Sequence, residues 1–363
     1  MLHREGEIEM VTRNETRVVH IGGVPVGGGH PIVIQSMTNT DTRDVAATVA
    51  QIDALTAAGC EVIRVAVPDL EAAAAVKQIK KEISLPLVAD IHFDYRLALE
   101  AVKSGADKLR INPGNIGDGL RLQKVAEAAK AAEIPIRVGV NSGSLEKEIM
   151  AQYGHTAEGL AESALKNVSM LESYGFNNIV VSVKATEIPL MLEAHKILAA
   201  RIPYPLHMGF THSGTPLKGS IRSAAGLGAL LAMGVGDTIR VSLSGNDPTD
   251  EIRCAKEILA AMGLRRFGPT VIACPTCGRT DIDVVNLAAQ IEERLETIDK
   301  PITVAVMGCV VNGPGEAREA DIGVSGGRGV GVLFRKGEVV RKMAEDEIIE
   351  TVLEEVRAFK VSL

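Results

Sequence analysis

Three of the five cysteines in this 363-residue chain have a spacing that chemistry can use. Cys274-Pro275-Thr276-Cys277 is a C-x-x-C pair, and Cys309 follows as a lone third sulfur. A C-x-x-C by itself says little. Answered by one distant cysteine instead of a second pair, it specifies three thiolates and leaves the fourth ligand open. Two metal centres satisfy that pattern. One is a structural zinc, whose fourth ligand would have to be distant, since no His follows Cys309. The other is a [4Fe–4S] cluster with an oxygen ligand, for which Glu316 is the nearest candidate. A carboxylate holds iron less durably than a thiolate, so that iron could exchange its ligand for a substrate oxygen. A disulfide framework fits poorly with an odd cysteine count and with a start, Met1 to Glu7, that has no apolar signal region.

A second constellation is cationic. Arg64, Arg110, Arg137, Lys184 and Arg240 each interrupt an apolar run of strand length, and the runs end in turn chemistry such as Asn112-Pro113-Gly114. Charge in such a run is unfavourable unless paired. If the strands form a parallel barrel, the five tips converge on its lumen and C-terminal mouth, where guanidinium forks match phosphate oxygens. The pattern therefore predicts a pocket for a compact polyanion, a phosphate or diphosphate. The alternative is a buried salt-bridge layer with Asp90 and Asp107, which would add little net stability. Asp90-Ile91-His92-Phe93 ends a further run with an acid and an imidazole, both able to move protons. His30 and His195 have no local partners and read as structural. Cys60 and Cys254 read as small core residues.

The elements that must position these groups follow from periodicity. Apolar runs occur at Ile32–Met37, Val62–Val67, Leu87–Ile91, Lys108–Ile111, Ile136–Val140, Ile179–Val183, Leu206–Phe210 and Thr238–Leu243. Segments of helical period lie between them, such as Val45–Ala58, Leu70–Ile83 and Leu120–Ala132. Eight strand–helix units predict an α/β fold, a (β/α)8 TIM-type barrel over residues 31–264, with an N-terminal hairpin and glycine turn in residues 1–30. An open doubly wound sheet is the alternative, but no Gly-x-Gly-x-x-Gly turn follows the first strand. Leu264 to Pro269 reads as a junction. Residues 265–363 then predict a smaller α+β domain that carries the cysteines. Its elements are a strand into the C-x-x-C, a helix Val284–Thr297, a strand into Cys309, strands at Ile322–Val324 and Gly331–Phe334, and a helix Glu345–Phe359. The net charge of −7 argues against a nucleic-acid surface, and no apolar run is long enough to span a membrane. The expected location is cytoplasmic.

Several ordered motifs carry a resemblance. They are Val33-Ile34-Gln35-Ser36-Met37-Thr38, Arg64-Val65-Ala66-Val67-Pro68, Ala89-Asp90-Ile91-His92-Phe93, Arg110 to Asn115, Arg137 to Leu145, Ala273 to Arg279, and Met307 to Ala317. From about residue 8 to near the C-terminus the chain resembles the 4-hydroxy-3-methylbut-2-enyl diphosphate synthase family of the methylerythritol phosphate pathway, in its short bacterial form. The resemblance implies two-electron reduction, ring opening and dehydration of 2-C-methyl-D-erythritol 2,4-cyclodiphosphate. It implies a [4Fe–4S] cluster on Cys274, Cys277, Cys309 and Glu316, fed by flavodoxin or ferredoxin. Diphosphate contacts carry over to Arg64, Arg110, Arg137, Asn141, Lys184, Arg222 and Ser242, and Asn312 matches a family residue near the cluster. A head-to-tail homodimer is also implied, in which one subunit's cluster domain caps the other's barrel. One segment departs from the family: Thr211-His212-Ser213-Gly214 stands where the family often has Thr-Glu-Ala-Gly, whose Glu is a candidate proton donor. His212, an imidazole that titrates near neutrality, or Asp90 would have to serve instead.

Overall fold

A computed structural model describes residues 12–116, 119–211, 214–309, 315, 317–327 and 329–360. The chain divides into two compact units, Met1–Arg265 and Arg266–Leu363.

The first unit opens with a hairpin, β1 (Val19–Ile21) antiparallel to β2 (Val24–Val26) across a Gly22-Gly23 turn. Eight parallel strands follow: β3 (Val33–Met37), β4 (Val62–Val67), β5 (Leu87–Ile91), β6 (Lys108–Ile111), β7 (Ile136–Asn141), β8 (Ile179–Lys184), β9 (His207–Met208) and β10 (Thr238–Ile239). Their spatial order is β8-β7-β6-β5-β4-β3-β10-β9, and a parallel bridge between Val181 and Leu206 joins the two ends into a barrel. These strands read as continuous apolar runs because helices cover their outer faces while the lumen is filled by side chains. The last two strands are shorter than the expected runs. The ladder stops where Gly209 lies so close to Arg240 that a Cβ would stand 2.7 Å from its carbonyl oxygen.

The strand-to-helix turns are built from aspartates. Asp44 accepts a hydrogen bond from the Ala47 amide at 3.0 Å and so caps α1 (Val45–Ala58). Asp69 caps α2 (Leu70–Glu82) through Ala72 at 2.9 Å, and Asp94 caps α3 (Tyr95–Lys103) through Arg96 at 2.9 Å. Each such cap stabilises its helix by about 1 kcal/mol. At the barrel's N-terminal end, Ile21 and Val26 of the hairpin pack on Val33, Val62 and Val88.

The second unit holds a five-stranded sheet in the order β11 (Thr270–Ala273), β12 (Thr303–Met307), β13 (Ile322–Gly327), β14 (Val330–Arg335), β15 (Glu338–Ala344). The first three strands are parallel and the last two antiparallel. The helix Val284–Leu295 buries Val284, Leu287, Ala288, Ile291 and Leu295, a period-3.6 stripe, against Val304, Val306, Ile322 and Val324 of the sheet. The helix Ile348–Ala358 adds Ile348, Val352, Leu353 and Val356 to the same core. The strand Glu338–Ala344 has no counterpart among the expected elements. It is an exposed edge whose Val339 and Val340 face solvent among charged neighbours, so it shows neither strand alternation nor an apolar run.

Candidate active site

Barrel strands alternate lumen-facing and helix-facing residues, and the lumen positions near the strand ends carry the cations. Arg64 from β4, Arg110 from β6, Arg137 from β7, Lys184 from β8 and Arg240 line one cavity of about 190 Å³, together with Asp90, His92, Asn141, Ser182, Phe210 and Thr211. All five cations predicted from the apolar runs meet there. Asp107, the other acid considered, lies elsewhere: it pairs with Lys80 at 2.6 Å and accepts from the Leu87 amide. Asp90 is thus the carboxylate among the lining residues, 3.1 Å from Arg110 Nη1 and 3.8 Å from Arg64 Nε. Glu251 stands to one side, accepting from Ser36 Oγ and the Leu243 amide.

The cations therefore outnumber the acids, and buried donors are left over. Arg110 Nε, Arg137 Nε, Arg137 Nη2 and Arg240 Nε have no hydrogen-bond partner among the described residues. Burial opposes the charge on Asp90. The hydrogen bond with His92 and the charges of Arg64, Arg110 and Arg137 outweigh it and hold the carboxyl well below the usual carboxylate range. Burial, then Arg240, Arg64, Arg137 and Arg110, push the Lys184 ammonium well down from its ordinary value. Burial also pushes Arg64 down, against the attraction of Asp90. A guanidinium does not release its proton in such a setting, so the strain is better relieved by an incoming anion. Two unit charges about 4 Å apart interact by about 4 kcal/mol at an effective dielectric of 20, so several cations converging on a dianion give a strong site.

Glycine makes the packing possible. A Cβ on Gly139 of β7 would stand 2.6 Å from Arg110 Nε, so the absence of a side chain lets the Arg110 fork cross the neighbouring strand. Arg222 is an exposed residue of the helix Pro216–Ala232, and Ser242 Oγ is buried without a partner; neither lines the cavity. Ser182 is a lining residue that the sequence reading passed over. It sits two positions before Lys184 on the same lumen face, donates no charge, and accepts from Arg137 Nη1 at 3.2 Å. His212, Asn312 and Glu316 lie outside the described residues. A larger concavity of about 290 Å³ is lined by Glu146, Lys147, Glu148 and Lys166 among others, so its charges oppose one another and it offers no comparable field.

The cysteines sit at one edge of the second unit's sheet. β11 and β12 run in parallel with Ala273 opposite Val306, so Cys274 and Cys309 both follow the C-terminal ends of adjacent strands. The Gly308 amide donates to Cys274 Sγ at 3.3 Å, the kind of bond that tunes a cluster sulfur. The Cys277 amide donates to Thr280 Oγ1 at 3.0 Å, Cys277 is exposed and Cys309 is buried. Among the described residues no three His, Cys, Asp or Glu side chains are gathered tightly enough to hold a metal ion. A four-iron cluster is wider than one ion, and its thiolates stand correspondingly further apart. The donor set and its shared sheet edge fit such a group. No described helix is long and apolar enough to cross a membrane.

Comparison with known proteins agrees with both units. A family model described as the GcpE TIM-barrel domain matches residues 16–256, and one described as the GcpE protein C-terminal domain matches residues 270–358. The 4-hydroxy-3-methylbut-2-en-1-yl diphosphate synthase (flavodoxin) of Caldanaerobacter subterraneus subsp. tengcongensis is 56% identical over 345 residues, covering 95% of this chain and 97% of that protein. Proteins of the same name from Geobacter sulfurreducens and Halalkalibacterium halodurans are each 54% identical, over 94% and 96% of this chain and 97% and 95% of their own lengths. Among solved structures, Plasmodium falciparum HPPK-DHPS A437G shares the barrel fold alone, with a TM-score of 0.51 at 11% identity over 68% of this chain and 50% of that one. With a cation-lined barrel mouth, cysteines at one sheet edge and relatives matched along nearly the whole length, the chain belongs to the GcpE family.

Proposed function

We propose that this chain is a 4-hydroxy-3-methylbut-2-en-1-yl diphosphate synthase acting in isoprenoid biosynthesis. Its substrate is 2-C-methyl-D-erythritol 2,4-cyclodiphosphate. Two electrons and the required protons are added, the ring opens at a C–O bond, and water is lost. The observation that carries this reading is the barrel cavity, where four buried cations from different strands and the partly buried Arg240, just past β10, gather with Asp90. Arg64, Arg110, Arg137, Lys184 and Arg240, with Asn141, would grip the diphosphate. Asp90 holds Arg64 and Arg110 in position, and His92 can carry a proton at the mouth. His212, beside the lining residue Thr211, is a second candidate proton donor.

Cys274, Cys277, Cys309 and Glu316 would hold a [4Fe–4S] cluster, which when bound supplies electrons one at a time. Asn312 would lie beside it. The electron source would be flavodoxin, with ferredoxin as the alternative carrier. A head-to-tail homodimer, in which one subunit's cluster domain serves the partner's barrel, is part of this reading. A cytoplasmic location fits this chemistry.

Anaerobic purification followed by EPR of the reduced protein, with and without the cyclodiphosphate, tests the reading. A brown protein whose signal changes on substrate addition, and which forms product with reduced flavodoxin, is the expected result. A colourless protein with one zinc per chain would overturn it.

A further inference from the structure

Below the cation pocket, further down the lumen, lies a polar layer to which the reaction assigns no task. Lys108 is on β6, two residues before Arg110, so it faces the lumen one step deeper. Its Nζ donates to Gln35 Oε1 of β3 at 3.2 Å. His207 Nδ1 of β9 lies 2.6 Å from Thr238 Oγ1 of β10. All four residues are 0–1% exposed. Gln35 Nε2 and His207 Nε2 have no partner among the described residues.

The charged and titratable groups around Lys108 come from β4 to β9 and from the residue after β10, while β3 supplies the neutral Gln35. Arg64 is on β4, Asp90 on β5, Arg110 on β6 itself, Arg137 on β7, Lys184 on β8, His207 on β9 and Arg240 beyond β10. Asp90 is engaged by Arg64, Arg110 and His92, and among the described residues no carboxylate bonds Lys108. Burial, then Arg137 and Arg64, press the Lys108 ammonium well below its ordinary value, and burial, then Arg137, Lys184, Lys108 and Arg64, do so to His207. A fully buried amine whose one bond is to a neutral amide oxygen, with more cations than acids around it, is stable when uncharged. An anion arriving in the pocket above reverses that field.

We propose that Lys108 is a proton-binding site coupled to the anion pocket, an uncharged amine while the pocket lacks an anion and an ammonium once a polyanion fills it. This rests on the reading of the pocket as a diphosphate site. The proton comes from solvent and forms one N–H bond, and no electron moves. The coupling spares the free enzyme another buried charge and gives the bound anion one more cation beneath it.

Sulfate is a suitable probe because it does not titrate near neutral pH. In weakly buffered solution with a pH indicator, adding sulfate to the as-isolated protein should raise the pH by uptake of about one proton per anion bound. Lys108→Met should bind sulfate, take up no proton, and melt no lower than the parent without sulfate, because an apolar chain replaces a buried amine that has no counter-ion among the described residues. Lys108→Gln, which keeps a polar head for Gln35, serves if the Met variant does not fold. Uptake that persists in these variants but vanishes in Lys184→Met places the proton at the pocket rim and overturns the proposal. Sulfate binding without uptake in the parent overturns it too, while leaving the pocket reading intact. Failure of both sulfate and inorganic pyrophosphate to bind would remove the pocket reading and this inference together.

Discussion

Arg110 reaches Asp90 and His92 through the same nitrogen, with Nη1 3.1 Å from the carboxylate and 2.7 Å from the imidazole Nε2. That shared contact joins the strand that supplies the acid to the strand that supplies the cation. It keeps the guanidinium plane fixed before any ligand arrives. Preorganised charge is what a phosphate site needs, since turning side chains on binding would consume affinity.

Asp90→Asn should separate stability from binding. Removing one partner of a buried ion cluster destabilises by about 3–5 kcal/mol, because the remaining cations lose their compensation. Urea denaturation without anions should show that loss, and added sulfate should restore most of it. Turnover should stay low even with sulfate removed. A variant as stable as the parent without anions would show that Asp90 is not the counter-charge.

Gly139→Ala acts on Arg110 without replacing a charged residue. The new methyl would meet Nε at 2.6 Å and Nη2 at 3.0 Å, and the guanidinium must swing away. We expect KM for the cyclodiphosphate to rise about tenfold, or ~1.4 kcal/mol, with a melting temperature close to the parent's. Steady-state kinetics and calorimetry on the same preparation check both halves.

Two buried groups distant from the cations should shape the acid end of the stability curve with opposite signs. His195 is held down to about 4 by burial, against the pull of its bond to the Met191 carbonyl. The unfolded chain binds its proton near pH 6.5, so the stability it lends at neutral pH is lost as pH falls from there towards 4. Asp237 is pushed up to about 6 by burial, opposed by the Leu206 amide and Thr16 hydroxyl that donate to it. Its contribution is full below the usual carboxylate value near 3.8 and is lost as pH rises through 6. Each amounts to about 3 kcal/mol. His195→Gln should therefore flatten the fall in urea midpoint between pH 6.5 and 4, and Asp237→Asn should steepen it.

Replacing Cys274, Cys277 or Cys309 singly by Ser should lower iron and acid-labile sulfide content after anaerobic reconstitution and bleach the visible absorption. Glu316→Ala should leave more iron bound than any of the three, because one oxygen ligand is the weakest attachment. Anion binding to the barrel should be unchanged in all four, measured by calorimetry with inorganic pyrophosphate.

The barrel was legible because its strands are uninterrupted apolar runs and its helices carry a 3.6 period. The pocket was legible because Arg and Lys stand out inside such runs. Other features left no comparable trace. Glu338–Ala344 forms a strand only by pairing along the strand Val330–Arg335, and it is exposed along nearly all its length with no alternation of its own. Lys108 opens its run and so reads as a polar strand start, yet barrel closure buries it completely. Arg222 and Arg240 look alike as letters. One lies on an exposed helix face and the other at a lumen position, a difference set by which neighbour each strand or helix packs against.

The hairpin at the N-terminal end has a consequence for traffic. With Ile21 and Val26 wedged against Val33, Val62 and Val88, the cylinder is corked at its far end. The opposite mouth, where the cations stand, is then left to admit each newcomer and discharge each departing molecule in turn. A spent product that lingers therefore blocks its own replacement, and a crowding of product should slow the enzyme by simple occupancy of the doorway.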